Sequence, residues 1–160
     1  MAIPLRKKDK ISGEQPVPVL IQREEHLSLA PARQAFTTLR IAYVAIPIIA
    51  GLDKFFDLTT SWDSYLSSSI NGAVGISAHS FMAVVGLIEI VLGLGVAVSP
   101  RIFGNSLAIW MLAIVGNLVL LGGHSDIALM TLGLSAGAYA LGRLGQQFEP
   151  VPRRRLQALQ

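Results

Sequence analysis

The chain contains no cysteine, and this absence removes several classes of chemistry. Without a thiol it has no disulfide, no thiolate metal site, no iron–sulfur cluster and no redox dithiol of its own. Any electron transfer in which it takes part therefore uses a bound cofactor or a partner subunit. Charged residues are also scarce, at 14% of the chain, whereas 52% of its residues are hydrophobic. This balance is typical of a membrane protein.

The common motifs of soluble enzymes are missing as well. There is no P-loop, no Gly-rich dinucleotide fingerprint and no nucleophile motif in a strand–turn–helix setting. The sequence pI of about 9.6 does not indicate a nucleic-acid partner, because the basic residues flank apolar runs, where membrane topology and anionic headgroups explain them. The polar first ten residues are not followed by an apolar stretch until Phe36, so we expect no secretory signal peptide.

Four long apolar runs occupy residues 36–56, 78–98, 102–121 and 127–141. As helices, such runs suit a hydrocarbon core of roughly 30 Å. The connections at residues 99–101 and 122–126 are short, so the helices they join must be antiparallel. We therefore predict an all-α, integral membrane four-helix up-down bundle at residues 36–143. A cytoplasmic N-terminal arm at residues 1–35 and a cytoplasmic tail at residues 144–160 complete the predicted organisation.

The basic residues are distributed very unequally about these runs. Of the 13 Lys and Arg residues, Lys54 alone falls on one side. The others are Arg6, Lys7, Lys8, Lys10, Arg23, Arg33, Arg40, Arg101, Arg143, Arg153, Arg154 and Arg155. Because Lys and Arg are retained in the cytoplasm, this bias predicts that both termini are cytoplasmic. We expect a multi-pass protein of a bacterial or archaeal inner membrane.

Prolines and turn residues suggest where the first helices begin, bend and end. Pro31 suits the first turn of a helix, so the first span is predicted to begin near it. Pro47 removes one backbone hydrogen bond within that span and predicts a kink. Residues 57–77 are predicted to contain a short interfacial helix that ends at Asn71-Gly72. Its apolar face consists of Trp62, Tyr65, Leu66 and Ile70.

Glu89 is the most unusual residue, because an ionised side chain in the middle of a span costs at least ~2.5 kcal/mol. We expect it to face protein, on one stripe with Gly86 and Gly93. Two interpretations remain open: a proton relay or ligand for a quinone carbonyl, or a structural interhelical hydrogen bond or ion pair. Its candidate ion-pair partner is Arg40, which shares a polar seam of the first span with Lys54. Arg40 and Glu89 differ in predicted depth by less than about 10 Å, which is within reach of a long side chain or a water bridge.

A second group of polar residues is predicted at the outer boundary of the bundle: Asp53, Asp57, Asn117, His124 and Asp126. Most such clusters cap helices or turns. His79 and His124 lie on the same side and are the candidates for a metal or haem ligand. Neither has a short-range partner at ligand spacing, so we expect no metal site.

Small residues indicate where the helices touch. Gly86 and Gly93 in the second span, and the GxxxG pair Gly133 and Gly137 in the fourth, are predicted to allow close approach. The GxxxG pair is as compatible with packing inside the bundle as with a dimer contact.

The sequence resembles the DoxX-like family of small four-helix membrane proteins over about residues 38–143. The segments that carry the resemblance are Leu39-Arg40-Ile41, Ala50-Gly51-Leu52-Asp53-Lys54-Phe55, Gly86-Leu87-Ile88-Glu89-Ile90-Val91-Leu92-Gly93, Pro100-Arg101 and Asp126-Ile127-Ala128-Leu129. The resemblance implies a four-helix membrane fold with Arg40, Lys54 and Glu89 as its polar residues. It also implies a link to quinone-dependent oxidoreductases, including thiosulfate oxidation, and to redox complexes with other membrane subunits.

Three functions follow as hypotheses. The first is an accessory, mainly structural membrane subunit of a redox or electron-transfer complex, without catalytic activity of its own. The second is a quinone-binding oxidoreductase subunit in which Glu89, with Arg40 or Lys54, binds or protonates the quinone headgroup. The third is a small carrier or proton pathway built around Glu89, although the broken helices and internal repeat of many transporters are missing.

Overall fold

A computed structural model of the protein describes residues 17–149, with side chains from residue 29 onward. Within residues 17–149 all regular structure is helical. The elements are α1 (Val17–Phe56), a 3₁₀ helix (Trp62–Tyr65), α2 (Ser68–Val74), α3 (Ala78–Val98), α4 (Pro100–Leu121) and α5 (Ser125–Phe148). Four stretches are long and apolar enough to cross a membrane: Leu29–Phe56 within α1, and the whole of α3, α4 and α5. The prediction of an all-α, multi-pass membrane protein with four apolar helices is confirmed.

The four long helices form two closely packed antiparallel pairs. A Cβ atom on Gly51 of α1 would lie 2.5 Å from the carbonyl oxygen of Gly86 on α3, and one on Gly104 of α4 would lie 2.8 Å from the backbone nitrogen of Gly142 on α5. Glycine lets these backbones approach because it has no side chain. The α3–α4 and α1–α5 contacts are less extensive. The two tight pairs therefore face each other across a looser interior.

The two ends of the bundle are built differently. At one end, here called the turn end, Ser99 alone separates α3 from α4. The ring centroids of Phe36 and Phe148 lie 5.5 Å apart there. The Glu149 carboxylate accepts hydrogen bonds from the Arg101 backbone N–H (2.7 Å) and the Ser99 hydroxyl (3.2 Å), which satisfies the start of α4. At the opposite, capped end, residues 57–77 cross over the helices as the capping segment.

Helix α1 begins earlier than the sequence predicted. It starts at Val17, so Pro31 lies inside the helix instead of in its first turn. The residues before Pro31 include strong helix formers such as Leu20, Gln22 and Glu24, whose combined propensity outweighs the hydrogen bond that one proline removes. The predicted arm at residues 1–35 is thus partly helical. Its first 16 residues, and the predicted tail beyond residue 149, lie outside the described residues.

The single short helix predicted within residues 57–77 is instead two helices, the 3₁₀ helix Trp62–Tyr65 and α2 (Ser68–Val74), with Leu66 and Ser67 between them. Asn71 and Gly72 lie inside α2, which instead stops at Gly75 in the left-handed conformation, with φ +69°. The Gly75 N–H donates to the Asn71 carbonyl, as in a glycine-capped helix end. The prediction of a stop at Asn71-Gly72 was wrong, because this pair is followed by a better helix-ending glycine.

Candidate functional site

A cavity of about 450 Å³ lies between the two helix pairs, towards the capped end. All four long helices and the capping segment contribute to its wall, which is almost wholly apolar. Its lining includes Ile46, Pro47 and Ala50 of α1, Met82 and Val85 of α3, Leu107, Trp110 and Met111 of α4, Thr131 and Leu134 of α5, and Trp62, Tyr65 and Ile70 of the capping segment. The two charged residues on the wall are Lys54 and Glu89.

Lys54 and Glu89 form a buried ion pair. The Lys54 ammonium nitrogen lies 2.7 Å from Oε2 of Glu89, and the two side chains are only 6% and 9% exposed. The close α1–α3 contact at Gly51 and Gly86 brings the two residues within reach of each other. Burying such a pair costs free energy because both charges lose their hydration, and further hydrogen bonds to either partner offset part of that cost.

Arg40 does not take part in this pair, although the sequence had suggested it. Its guanidinium donates to the carbonyl oxygen of Ala97 at the turn end. From residue 89 to residue 97 is two helical turns, about 12 Å along α3. The α1–α3 register thus separates Arg40 from Glu89. Comparing the depths of the two residues in their spans does not determine this register.

The two members of the pair differ in how completely they are engaged. Lys54 also points at the Ala50 carbonyl, 3.4 Å away, and its nitrogen lies 3.9 Å from the centre of the Trp62 ring, a cation–π distance. Glu89 accepts through Oε2. Among the described residues, no donor is hydrogen-bonded to its second oxygen, Oε1. Glu89 is itself one of the residues that line the cavity.

Asp53, the neighbour of Lys54, sets the position of the Trp62 ring. Its carboxylate accepts from the Trp62 indole N–H (2.7 Å), from the Thr59 hydroxyl, and from the backbone N–H groups of Leu58 and Thr59 (3.0 and 3.1 Å). It thereby fixes the first turn of the capping segment and the ring that covers Lys54. Asp53 is thus structurally coupled to the ion pair.

Asn117 of α4 binds the capping segment between its 3₁₀ helix and α2. Its Oδ1 accepts from the Ser67 backbone N–H at 3.0 Å, and its Nδ2 donates to the Tyr65 carbonyl at 2.6 Å. One amide thus satisfies two backbone groups at the junction between the 3₁₀ helix and α2. This contact holds in place the part of the cavity wall that contains Tyr65.

The other predicted outer residues serve separate local contacts. Asp57, with φ +49°, accepts from the Trp62 backbone N–H at 3.1 Å. The His124 ring nitrogen Nδ1 lies 2.9 Å from the Gly122 carbonyl, and its ring meets the Tyr65 ring edge-on. Asp126 is exposed in the first turn of α5. All of these residues lie at the capped end, where Asp57 and His124 make local contacts and Asp126, among the described residues, makes no side-chain hydrogen bond.

The two candidate metal ligands, His79 and His124, are not brought together. His79 lies 3.7 Å from Asp63, and both side chains are largely exposed. Within residues 29–149 no group of three His, Cys, Asp or Glu side chains is arranged to hold a metal ion.

The predicted packing glycines have different surroundings. Gly86 meets the Gly51 backbone, and a Cβ on Gly93 would lie 3.0 Å from the Val44 carbonyl oxygen. Gly137 packs against the Tyr43 hydroxyl, whereas nothing lies within 4 Å of a Cβ added to Gly133. Sequence reasoning did not single out Gly51, Gly104, Gly142 and Gly145, each of which also has a close backbone neighbour.

Trp110 is a cavity residue that sequence reasoning missed. It packs against both groups of core residues and lines the cavity. A signal was available, because tryptophan in membrane proteins is enriched at the interfaces, and Trp110 lies near the middle of its span.

Compared with known proteins, the chain matches no protein-family model, no curated protein and no solved structure. The resemblance to DoxX-like proteins therefore stays a prediction.

Proposed function

We propose that this chain is a quinone-binding membrane subunit of a redox complex. The observation that supports the proposal most directly is the apolar cavity with a single buried ion pair, Lys54 and Glu89, on its wall. Ligand sites typically combine an apolar lining with a few polar groups that fix orientation. A quinone matches this chemistry, because it has an apolar ring and tail and two carbonyl oxygens that accept hydrogen bonds.

Each residue at the site has a role in this proposal. The Lys54 ammonium donates a hydrogen bond to one quinone carbonyl, and Trp62 and Asp53 hold that ammonium and its surroundings in place. Glu89, ionised in its pair with Lys54, takes up protons from water and passes them one at a time to the ligand through its second oxygen, so both protons of the quinol come from solvent. Reduction of a quinone to a quinol consumes two electrons and two protons. In this proposal the two electrons come from a redox group on a partner subunit.

The length of α1 supports a role within a complex. Phe36 marks the level at which α1 meets the end of α5, and α1 begins at Val17. At 1.5 Å per residue, residues 17–35 extend the helix by about 28 Å beyond that contact. In this proposal the extension docks a partner subunit. An accessory, mainly structural role is the second candidate, and the same extension favours it.

The proposed orientation places the turn end in the cytoplasm. Arg33, Arg40, Arg101 and Arg143 lie towards the turn end, whereas Lys54 lies towards the capped end. The positive-inside tendency favours the arrangement in which the arginine-rich end is cytoplasmic. The proposed membrane is the inner membrane of a bacterium or archaeon.

Quinone binding can be followed with the protein's own tryptophans. The chain has two, Trp62 and Trp110, and both line the cavity. We expect ubiquinone or menaquinone to quench their emission saturably in detergent-purified protein. Trp62→Phe and Trp110→Phe variants assign the quenching to each ring. Lys54→Met/Glu89→Leu should weaken binding at least about tenfold, since it removes every charged partner of the carbonyl.

Asp126→Asn is the matched control, because it removes an exposed carboxylate outside the cavity. Its binding curve should equal that of the unaltered protein. Equal quenching of the double variant would contradict a role for the pair. If no quinone binds, mass spectrometry of proteins that co-purify in stoichiometric amounts tests the accessory role, and Glu89-dependent flux in proteoliposomes tests the carrier hypothesis.

A further inference from the structure

Three residues that line the cavity are also exposed on the outside of the bundle: Ile46 on α1, Ala113 on α4 and Leu134 on α5. A residue with both properties marks the rim of an opening. Ile46 and Leu134 are 46% and 39% exposed and belong to helices that pack against each other. The rim that they share lies along the α1–α5 seam.

That seam is closed in one half only. The Tyr43 hydroxyl donates to the Leu134 carbonyl at 2.6 Å, and Phe36 packs on Phe148 nearer the turn end. Towards the capped end the same two helices line the cavity instead. Their lining residues there are Pro47, Ala50, Lys54, Ile127 and Thr131.

The other walls are filled by side chains. Trp110 of α4 packs against the core group formed by Leu66, Met82 and Val85, beside the α3–α4 seam. At the capped end Asn117 fastens the capping segment through two hydrogen bonds. The α1–α3 and α4–α5 seams are closely packed at glycines, so the α1–α5 seam, whose contacts are the least extensive of the four, remains as the open side.

We infer that the cavity opens sideways into the lipid through a portal between α1 and α5, with Ile46 and Leu134 at its rim. A ligand with an isoprenoid tail enters there, places its head beside Lys54, and leaves most of its tail in the membrane. The volume agrees with this division, because about 450 Å³ lies in the lower part of the range of ~300–1,000 Å³ for ligand pockets. The quinone ring and the first part of its isoprenoid tail fit in this volume, and the rest of the tail must pass between Ile46 and Leu134 into the lipid. The identity of the ligand rests on the proposed function, whereas the portal itself does not.

Spin labelling tests the portal without any ligand. The chain has no cysteine, so a Thr131→Cys variant carries one label on the cavity wall. Leu129→Cys, 70% exposed on the outer face of α5, serves as the lipid reference, and Ser125→Cys at the start of α5 serves as the water reference. We expect the Thr131 label to collide with molecular oxygen, which concentrates in lipid, and to be shielded from a water-soluble nickel chelate. Nickel access equal to that at residue 125, or shielding from both reagents, would overturn the portal.

Cross-linking across the rim tests the position of the tail. An Ile46→Cys/Leu134→Cys variant is treated with a bismaleimide in proteoliposomes, and each single-cysteine variant treated alike is its control. The linked protein should bind a long-tailed quinone at least about tenfold more weakly, while a tailless quinone stays within about twofold. Unchanged binding of the long-tailed quinone would contradict the inference that its tail passes through the portal. If the protein binds no quinone but the Thr131 label is open to lipid, the proposed function fails and the portal stands.

Discussion

At the scale of single residues, the Lys54–Glu89 pair is the most important feature of the interior. Burying its two charges costs free energy, and these are the charged groups on the cavity wall. Each charge alone would be buried without neutralisation, and together they satisfy each other at 2.7 Å. Breaking a buried pair by removing one partner typically costs about 3–5 kcal/mol, whereas replacing both partners by apolar side chains is often close to neutral. Stability and ligand binding can therefore be separated by mutation.

We predict that Glu89→Leu destabilises the protein by about 3 kcal/mol, because Lys54 is left charged and buried. The double variant Lys54→Met/Glu89→Leu should recover to within about 1 kcal/mol of the unaltered protein. Unfolding equilibria in mixed detergent measure both values. Arg143→Met, at an exposed position, is the control. A double variant as unstable as the single one would contradict this description of the pair.

The sequence identified both members of the pair but not their pairing. A carboxylate within a span and a lysine on the polar seam can both be recognised from the sequence alone. Which basic residue meets Glu89 depends on the register between α1 and α3, set by the Gly51–Gly86 contact. Arg40 was a reasonable candidate by depth, and the register excludes it.

At the scale of helices, glycine contacts decide which pairs are tight and where space remains. Close approach at Gly51–Gly86 and at Gly104–Gly142 draws α1 to α3 and α4 to α5. Larger side chains, among them Trp110 and Met111, separate the two pairs. The cavity is therefore a consequence of where small residues occur and where they do not.

Gly86→Ala should destabilise the protein by about 1–3 kcal/mol, because the new methyl group would meet the Gly51 carbonyl oxygen. Gly133→Ala is the matched control. Nothing lies within 4 Å of its added Cβ, and alanine is the better helix former, so this change should be neutral or stabilise by up to about 1 kcal/mol. Thermal unfolding of both variants in one detergent compares them. Equal losses at the two glycines would argue against the α1–α3 contact.

The capping segment depends on Asp53. Asp53→Asn replaces one acceptor oxygen by a donor, so it cannot accept from every group that Asp53 now serves. In a Trp110→Phe background we expect the Trp62 emission to shift to longer wavelength and amide exchange to accelerate at Leu58 and Thr59. Asp126→Asn in the same background should change neither. An unchanged Trp62 spectrum would show that Asp53 does not hold the ring.

Element boundaries were predictable where the hydrophobic pattern changes abruptly. The second span was predicted at residues 78–98, which are the bounds of α3. The start of α1 was not predictable in this way. The residues before Pro31 have helix propensity but form no apolar stripe that would mark a helix. Pro31 suits a helix start, but a single proline can also lie inside a helix, where it removes one backbone hydrogen bond. The predicted helix end at Asn71-Gly72 was also wrong, since α2 continues up to Gly75, three residues beyond Gly72.

At the scale of the whole molecule, charge is segregated between the two ends. The described arginines Arg33, Arg40, Arg101 and Arg143 lie towards the turn end, and Asp53, Asp57, Asp63 and Asp126 lie towards the capped end. The four apolar runs predicted the all-helical membrane architecture, and the charge asymmetry, which is also present in the linear sequence, is the basis of the proposed orientation. The cavity could not, because it arises from packing between residues distant along the chain.

Orientation is testable with single cysteines in this cysteine-free chain. We predict that Ser125→Cys, exposed at the capped end, reacts in intact cells with a membrane-impermeant maleimide. Gln146→Cys, exposed at the turn end, should react only after the membrane is permeabilised. The reverse pattern would place the turn end outside and remove the support for a cytoplasmic partner docked on α1.

The central claim is that the cavity beside Lys54 and Glu89 holds a quinone. The most direct measurement is the quinone content of protein purified from its native membrane in mild detergent, determined by solvent extraction and chromatography for the unaltered chain and for Lys54→Met/Glu89→Leu. We predict nearly stoichiometric quinone in the first and at least about a tenfold loss in the second, with both proteins folded. Equal quinone content in the two preparations, or none in either, would contradict the claim.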